Sequence, residues 1–360
     1  HRQETTDGYT VVRNKAGFLE YAIKVNGKLA PSGIRANTTS PTNSASPARL
    51  SIPKHLQEDI LHPFANASSS AQQASDLAQG VLPSRGNINV LVILVEFEDF
   101  SRQYSRAEYE KVFRGPMEDP DKVSFKEFYQ KASYGQLNFN VDFTRWYPAK
   151  GSVYDYGYRN NGYESARELA ADVIQQADAD VDFTKYDNDQ DGVVDGVIIL
   201  QAGRGAEEGS QTQYIWSHQW SVPDQIVDGK ILNRYCMVPG LRNSGIVDIG
   251  IIAHEVGHLL GQPDLYDTSG QTVGLGNWDI MSFGSWAGRG HYPADFSAWT
   301  KDRWEWINVQ NITGEFGKHA LSPSREAPDN YYRINTPVDQ EYFLLEYRDN
   351  RTWEQGIPGA

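Results

Sequence analysis

The sequence has little cysteine, no excess of positive charge and no long apolar run. Its single cysteine, Cys236, excludes both an intrachain disulfide and a zinc site built from several thiolates. Lys and Arg total 33 against 47 Asp and Glu, a formal charge of -14, which argues against a nucleic-acid-binding surface. The longest apolar runs, residues 90–95 and 193–200, are strand-sized and far below the roughly 20 residues that span a bilayer.

The composition of the 360 residues divides the chain into three segments. Residues 1–35 alternate short strand-like runs with turn signals, which predicts a small β-rich unit. Residues 36–86 are rich in Ser, Ala, Thr, Asn and Pro, and they predict an exposed linker because they can bury little apolar surface. Residues 87–360 mix apolar strands with amphipathic helices, so we expect an α/β (α+β) domain there.

Within the third segment, the two apolar runs predict strands that are covered on both faces. Helical periodicity is found at residues 105–113, 124–132, 164–177, 249–260 and 295–304. Cys236 lies in a further apolar stretch and is interpreted as a buried, inert thiol. The last residues of the chain are not typical of a finished domain edge, so we expect this domain to be truncated at its C-terminus.

The chemistry-bearing motif is His254-Glu255-Val256-Gly257-His258. The two histidines are one helical turn apart, so both imidazoles can bind a single cation on one face of a helix. The flanking residues are apolar and predict a buried helix, on which imidazole and carboxylate groups need partners. We therefore predict a zinc site in which Glu255 is the general base for a zinc-activated water.

A catalytic zinc usually has three protein ligands, so a third must be chosen. Gly261 comes three residues after His258 and predicts a left-handed turn that ends the helix, since glycine adopts that conformation cheaply. Pro263 prevents further helix, and Asp264 is the first side chain that can return to the metal. Asp295, on the last predicted helix, is the alternative ligand, and the Gly261 turn favours Asp264.

A methionine lies downstream in a segment rich in glycine. Met281 follows Asp264 by 17 residues and is flanked by Trp278-Asp279-Ile280 and Ser282-Phe283-Gly284. The pattern His-Glu-Val-Gly-His-Leu-Leu-Gly-Gln-Pro-Asp has the form of the metzincin consensus, with Asp where His is more common. Metzincins place a methionine in a tight turn beneath the zinc, and we predict this position for Met281.

An acidic loop precedes the second apolar strand. Acidic residues at relative positions 1, 3, 5 and 9, with glycine at 6, match the first part of an EF-hand-type loop. Position 12 is Ile198, so the usual bidentate Glu is missing. We predict an altered calcium loop, because such close carboxylates repel each other without a cation. Its expected ligands are Asp187, Asp189, Asp191, Asp195 and the carbonyl of Val193.

Four further side chains lie near these motifs in the sequence and are of interest for the catalytic region. His218 is interpreted as a hydrogen-bonded structural residue. His291 and Tyr292 follow the Met281 segment and are candidates for hydrogen bonding to an oxyanion. Phe283 stands two residues after Met281, where some metzincins keep a tyrosine, so the sequence leaves the electrophilic helper unidentified.

Taken together, these motifs resemble the immune inhibitor A family of secreted bacterial metalloproteases. The resemblance rests on residues 254–286, on further stretches such as Ala132-Ser133-Tyr134-Gly135 and Ile215-Trp216-Ser217-His218, and on the N-terminal Asp7-Gly8-Tyr9-Thr10-Val11. It covers residues 1–35 and 87–358. It implies a metzincin-like zinc peptidase fold with an active-site helix and a Met-turn, an exported zymogen whose residues 1–35 are a propeptide remnant, and calcium-dependent stability.

The sequence therefore predicts a secreted zinc metalloendopeptidase that hydrolyses peptide bonds in proteins. Its predicted cofactors are Zn²⁺, held by His254, His258 and Asp264, and structural Ca²⁺. Its expected partners are protein or peptide substrates and its own propeptide, with no nucleic acid and no transmembrane segment. Two alternatives stay open, a catalytically silent zinc- and calcium-binding surface or adhesion module and a zinc aminopeptidase. Cleavage preference, physiological substrate, latency mechanism, further C-terminal domains and oligomeric state are not encoded in any motif.

Overall fold

The computed structural model describes the strand residues 3–4, 10–13, 19–25 and 28–35, and residues 80–358 apart from 161, 210, 268–270, 313–320 and 339–340. The chain divides into two compact units, His1–Ala78 and Gln79–Ala360. The predicted linker of residues 36–86 lies outside the described residues up to position 79, and its character stays a prediction.

The first unit contains a four-stranded antiparallel sheet whose strands are paired in sequence order. The strands are β1 (Gln3–Glu4), β2 (Thr10–Arg13), β3 (Leu19–Val25) and β4 (Lys28–Arg35). The side chains of Val11, Tyr21 and Ala22 are buried. The described part of residues 1–35 is thus β-rich, and the interpretation of this segment as a propeptide remnant stays a prediction.

The second unit is organised around a six-stranded mixed sheet. Its strands are β5 (Gly86–Glu96), β6 (Leu137–Pro148), β7 (Val197–Arg204), β8 (His218–Val227), β9 (Lys230–Arg242) and β10 (Gly245–Ile246). The order is β10-β9-β7-β5-β6, and β8 also pairs with β9. Strands β6, β5, β7 and β9 run parallel, whereas β8 and β10 are antiparallel to β9.

Helices cover both faces of this sheet. They are α1 (Arg106–Arg114), α2 (Phe125–Ala132), α3 (Glu164–Ala177), α4 (Ile249–Leu259) and the short α5 (Ala298–Arg303). Alternate residues of β5 point to opposite faces: Val90 and Val92 belong to the core with α1, α2 and α4, while Leu91 and Ile93 belong to the core with α3. Both faces of β5 are buried, which explains its unbroken apolar sequence.

Local sequence fixes where the first two helices begin. Ser105 accepts a hydrogen bond from the backbone of Glu108, whose carboxylate accepts from the Ser105 backbone in return. Ser124 and Glu127 repeat this capping box at the start of α2. Each box satisfies two backbone donors that the first helical turn cannot pair. Helix α2 then packs against α4, and the Tyr129 hydroxyl donates to the carbonyl oxygen of Ala253 at 2.7 Å.

The C-terminal part of the second unit adds a small three-stranded sheet. Strand β12 (Tyr331–Asn335) pairs in parallel with β11 (Val309–Asn311) and antiparallel with β13 (Tyr342–Glu346). Trp353 extends the main core by packing edge-on against Phe128, with ring centroids 5.5 Å apart. Among the described helices, none has the length and apolar character needed to cross a bilayer.

Candidate metal centre

Helix α4 is buried around most of its circumference and carries both histidines of the motif. Apolar residues such as Ile252 and Val256 are fully buried, whereas His254 and His258 stay partly accessible at one side. His254 Nδ1 lies 2.7 Å from the carbonyl oxygen of Ile280, and His258 Nδ1 lies 2.7 Å from that of Gln262. Donation from Nδ1 to a carbonyl leaves the Nε2 lone pair of each ring for a metal.

The turn after α4 brings the chain back to these histidines. Gly261 has φ of +84°, the left-handed conformation expected for it. Its N–H donates to His258 O, and the N–H of Gln262 donates to Gly257 O, both at 3.0 Å, so the turn satisfies carbonyls at the helix end. The same turn positions Gln262 O as the acceptor for His258 and directs Asp264 toward the two rings.

Asp264 meets both imidazoles with a single oxygen. Its Oδ1 lies 3.2 Å from His254 Nε2 and 3.3 Å from His258 Nε2. Tetrahedral zinc bound at about 2.0–2.1 Å separates neighbouring ligand atoms by about 3.3 Å, which these distances match. Asp264 Oδ1 is also buried without a hydrogen-bond donor. Burial raises the pKa of Asp264, but the two imidazoles more than offset this and hold it well below its usual range. The residues present therefore fit a zinc ion.

Glu255 lies on the same helix with its side chain buried. Burial raises the pKa of this carboxyl to about 7, although the nearby His254 and His258 act to lower it. A carboxylate whose pKa is near neutrality can accept and return a proton under working conditions. The position and pKa of Glu255 therefore suit general-base chemistry.

The segment around Met281 lies directly against α4. A Cβ at Gly257 would come within 2.4 Å of the Met281 sulfur, so glycine at this position lets the methionine approach the helix between the two histidines. The turn is held by Asp279, whose Oδ1 accepts from Met281 N at 2.7 Å and whose Oδ2 accepts from Ser297 N at 2.8 Å. Ile280 of the same turn provides the acceptor for His254.

Asp295, the alternative third ligand, is engaged elsewhere. Its carboxylate pairs with Lys301, and both side chains are buried. Its backbone N–H donates to Glu354 Oε1 at 3.0 Å, and Glu354 in turn pairs with Arg348. The helix expected over residues 295–304 begins only at Ala298. Among the described residues, the histidines are grouped with Asp264 and not with Asp295.

The acidic loop brings together three of its four predicted carboxylates. Asp187, Asp189 and Asp191 offer oxygens within 4.8 Å of one another, a group that does not include Asp195. Asp187 also pairs with Lys230 at 2.7 Å. Asp195 is fully buried; its Oδ2 accepts from Asn188, while its Oδ1 has no partner. Burial raises the pKa of Asp195 to about 7, and the neighbouring Asp189 and Asp187 contribute.

Three weaker candidates have structural partners. His218 is buried, with Nδ1 2.6 Å from Trp216 O and Nε2 2.9 Å from the Tyr235 hydroxyl, in keeping with a structural residue. His291 pairs with Asp248, the residue before α4, and Tyr292 donates to Asp119 at 2.9 Å. These contacts do not support the oxyanion function considered for His291 and Tyr292. The Cys236 thiol is buried.

Three side chains near the site were not assigned to it from the sequence. Burial and then the charge of Asp264 raise the pKa of the Tyr266 hydroxyl. Burial and then the charge of Glu255 raise the pKa of Tyr163, which precedes α3. Glu207 accepts from the Ser217 hydroxyl at 2.7 Å and contributes to the raised pKa of Glu255. Proximity to Asp264 could have indicated Tyr266, whereas Tyr163 and Glu207 come from distant segments without a local signal.

Comparisons with known proteins match this chain to a peptidase family. Residues 84–315 match the family model described as immune inhibitor A peptidase M6, catalytic domain. Immune inhibitor A of Bacillus thuringiensis subsp. alesti is 30% identical over 290 residues, covering 63% of this chain and 42% of that protein. The pre-pro-metalloprotease PrtV of Vibrio cholerae is 30% identical over 236 residues, covering 53% of this chain and 25% of that protein. The chain thus spans less than half the length of these relatives.

The matched region contains the whole candidate metal centre, from β5 to the segment after Met281. It accounts for well over half of the 360 residues. The chain belongs to the immune inhibitor A family of M6 peptidases.

Proposed function

We propose that this chain is the catalytic part of a secreted zinc-dependent endopeptidase. The observation that carries the proposal is the convergence of His254 Nε2, His258 Nε2 and Asp264 Oδ1 beside the buried carboxylate of Glu255. Two neutral imidazoles and one carboxylate form a three-ligand set that leaves one position open on tetrahedral zinc. A carboxylate next to such a set is the arrangement of a metal-assisted hydrolase.

The chain's own residues would divide the chemistry as follows. When bound, zinc supplies Lewis acidity that polarises the scissile carbonyl and lowers the pKa of an attacking water toward about 7. Glu255 takes the proton of that water and returns it to the leaving amine. The carbonyl oxygens of Ile280 and Gln262 keep both imidazoles in the tautomer that presents Nε2.

The contact between Met281 and Gly257 supports a metzincin-like centre. We propose that Met281 is the apolar floor of a Met-turn, because its sulfur fits against Gly257 of α4, which has no side chain. Leu265 N donates to Met281 O at 2.7 Å, which ties this turn to the loop that carries Asp264. The turn would therefore hold the third ligand and the orientation of His254 at once.

We also propose that residues 1–35 are a propeptide and that the protein is exported as a zymogen. The matched catalytic domain begins at residue 84, so this unit lies outside it. The Vibrio cholerae relative is named a pre-pro-metalloprotease, which describes such a maturation for that protein. Substrates would then be extracellular proteins or peptides.

A zinc aminopeptidase is the second candidate, because Glu207 provides an acidic group near Glu255 that could bind a substrate's free amine.

One set of assays separates the candidate functions. After removal of residues 1–78 by limited proteolysis, we expect about one zinc per chain, casein hydrolysis that 1,10-phenanthroline abolishes and zinc restores, and cleavage of a peptide blocked at both ends. Hydrolysis of free-amine peptides alone would indicate an aminopeptidase. Bound zinc without any cleavage would indicate a surface module.

We propose further that the acidic loop binds structural calcium through Asp187, Asp189 and Asp191. The neighbouring Asp195, buried with an unpartnered Oδ1, supports a cation in this loop. Calcium at a hundredfold excess over its Kd is expected to raise the free energy of unfolding by about 2.7 kcal/mol, seen as a higher Tm than in EGTA. Asp189→Asn should reduce this difference strongly, whereas exposed Asp121→Asn should keep it.

The same Tm measurements can contradict the calcium proposal. Equal Tm values in calcium and in EGTA would show that no calcium binds here. Lys230 and the backbone donors of the loop would then be sufficient to compensate the charge of Asp187. A full calcium response in Asp189→Asn would place the cation elsewhere.

A further inference from the structure

A stretch near the end of the chain, residues 342–357, lies against the backbone that follows Met281. We call this stretch the C-terminal arm; it comes after the family-matched region, which ends at residue 315. A Cβ at Gly356 of the arm would come within 2.3 Å of the carbonyl oxygen of Tyr292. Because only glycine tolerates so close an approach, the arm is fitted closely to this part of the chain.

Arg348 is the side chain that joins the arm to the Met281 turn, residues 278–284. Only 4% of this side chain is exposed, and its guanidinium donates to the carboxylate of Glu354 in the same arm. The guanidinium also donates to two backbone carbonyls outside the arm, those of Trp278 and Asp295, the latter at 3.4 Å. A planar guanidinium can make several such bonds at once, whereas a lysine ammonium is a compact point charge.

The first of these carbonyls is near the proposed zinc ligand His254. Ile280 comes two residues after Trp278, and its carbonyl oxygen lies 2.7 Å from His254 Nδ1. A backbone acceptor of this kind fixes the tautomer and the orientation of a metal-binding imidazole. A shift of Trp278 would therefore move this acceptor and, with it, the ring of His254.

The second carbonyl belongs to a stretch that braces the Met281 turn from the other side. Ser297 comes two residues after Asp295, and its N–H donates to the carboxylate of Asp279 at 2.8 Å. The other oxygen of that carboxylate accepts from the N–H of Met281 at 2.7 Å. By bonding to both carbonyls, Arg348 fixes the turn relative to the stretch that supports it.

We propose that Arg348 is a positioning residue for the metal centre of the peptidase proposed above, on which this inference rests. By holding the Met281 turn, Arg348 keeps the carbonyl of Ile280 where it orients His254. The described contacts of Arg348 are to Glu354 and to backbone, so it acts on the metal through that carbonyl. Loss of groups that orient metal ligands typically weakens metal binding by about 10- to 100-fold.

The first test compares two conservative variants of the full chain. Arg348→Lys keeps a positive charge beside Glu354 but has no planar fork to bond that carboxylate and both carbonyls together. We expect its zinc affinity, titrated against a competing chelator, to fall at least about tenfold. Arg325→Lys is the matched control, because Arg325 pairs with Asp349 of the same arm instead of with the Met281 turn. Its zinc affinity should stay within about threefold of that of the unmodified chain.

A second measurement needs no substitution. Because linkage is reciprocal, zinc binding must strengthen the contacts of the arm if those contacts favour zinc binding. Zinc should therefore slow hydrogen exchange by about tenfold at the amides of Asp295 and Ala298, which donate to carboxylates of the arm. The amide of Val153, which donates to Asp99 at 2.9 Å, is the control and should exchange equally with and without zinc.

Equal zinc affinity in Arg348→Lys and in the unmodified chain would overturn the inference. An equal loss of affinity in Arg325→Lys would also overturn it, since any weakening of the arm would then have the same effect. If Arg348→Lys does not fold, the exchange measurement decides, and unchanged exchange at Asp295 and Ala298 would overturn the inference. Neither measurement requires turnover, so zinc binding without peptidase activity would overturn the proposed function while these readouts still decide on Arg348.

Discussion

Glu255→Gln is expected to lower kcat by about 10³-fold while one zinc per chain stays bound. Glutamine has nearly the same size and fits the same buried position, but it cannot accept a proton from the attacking water. The imidazoles of His254 and His258 keep their backbone acceptors in this variant, so the metal ligands are not disturbed. Turnover of a blocked peptide and zinc analysis of the same sample measure both parts of this prediction.

Glu305→Gln is the matched control for this experiment. Glu305 is the next glutamate along the chain, and its side chain is 79% exposed and pairs only loosely with Arg85 at 3.4 Å. The Glu305→Gln variant should therefore keep both its bound zinc and its turnover. Normal turnover in Glu255→Gln would remove Glu255 from the chemistry. Loss of zinc from that variant would instead make Glu255 part of the metal site.

Asp264→Ala is expected to weaken zinc binding by more than about 100-fold and to abolish proteolysis. The substitution removes the only oxygen that faces both Nε2 atoms of the motif among the described residues. The Tm of the metal-free protein should change little, because Asp264 lies in a partly accessible loop and not in the core. Titration with zinc in a competing chelator gives the affinity.

Asp295→Asn should show the opposite behaviour. It leaves Lys301 buried without its partner, which is expected to destabilise the fold by about 3–5 kcal/mol, while the folded protein still binds one zinc. Zinc loss in Asp295→Asn together with zinc retention in Asp264→Ala would reverse the assignment of the third ligand.

The site was predictable where its geometry is local. The spacing of His254 and His258 on a helix, and the left-handed turn at Gly261, depend only on residues that are near in sequence. The fit of Met281 against Gly257 was harder to predict from the sequence, because it requires two separate segments of the chain to meet. The position of Asp295 could not be predicted in this way. It pairs with the buried Lys301, and nothing in the helical pattern of residues 295–304 indicates that pair.

In the fold, too, elements with strong local periodicity were predictable, whereas the bounds of other elements were not. Helices α3 and α4 have strong periodicity and were predicted close to their observed bounds, whereas β5 begins at Gly86, before the apolar run of residues 90–95 from which it was predicted. The second apolar run was expected to be a strand from residue 193, but β7 begins at Val197 because Val193 to Gly196 still belong to the acidic loop. Strand β8 contains Pro223 and alternates irregularly, since it pairs on one side only with β9. Its partner β9 follows directly after the two-residue turn Asp228-Gly229, so this pairing is a local hairpin whose Asp-Gly signal was missed.

The central claim is that one zinc is held by His254, His258 and Asp264. Anomalous diffraction at the zinc edge, from crystals of the zinc-loaded chain, tests it most directly. With these three ligands, we expect one strong peak about 2.0–2.2 Å from both Nε2 atoms and from a carboxylate oxygen of Asp264. A peak whose third protein ligand is another residue, or a peak away from helix α4, would contradict it.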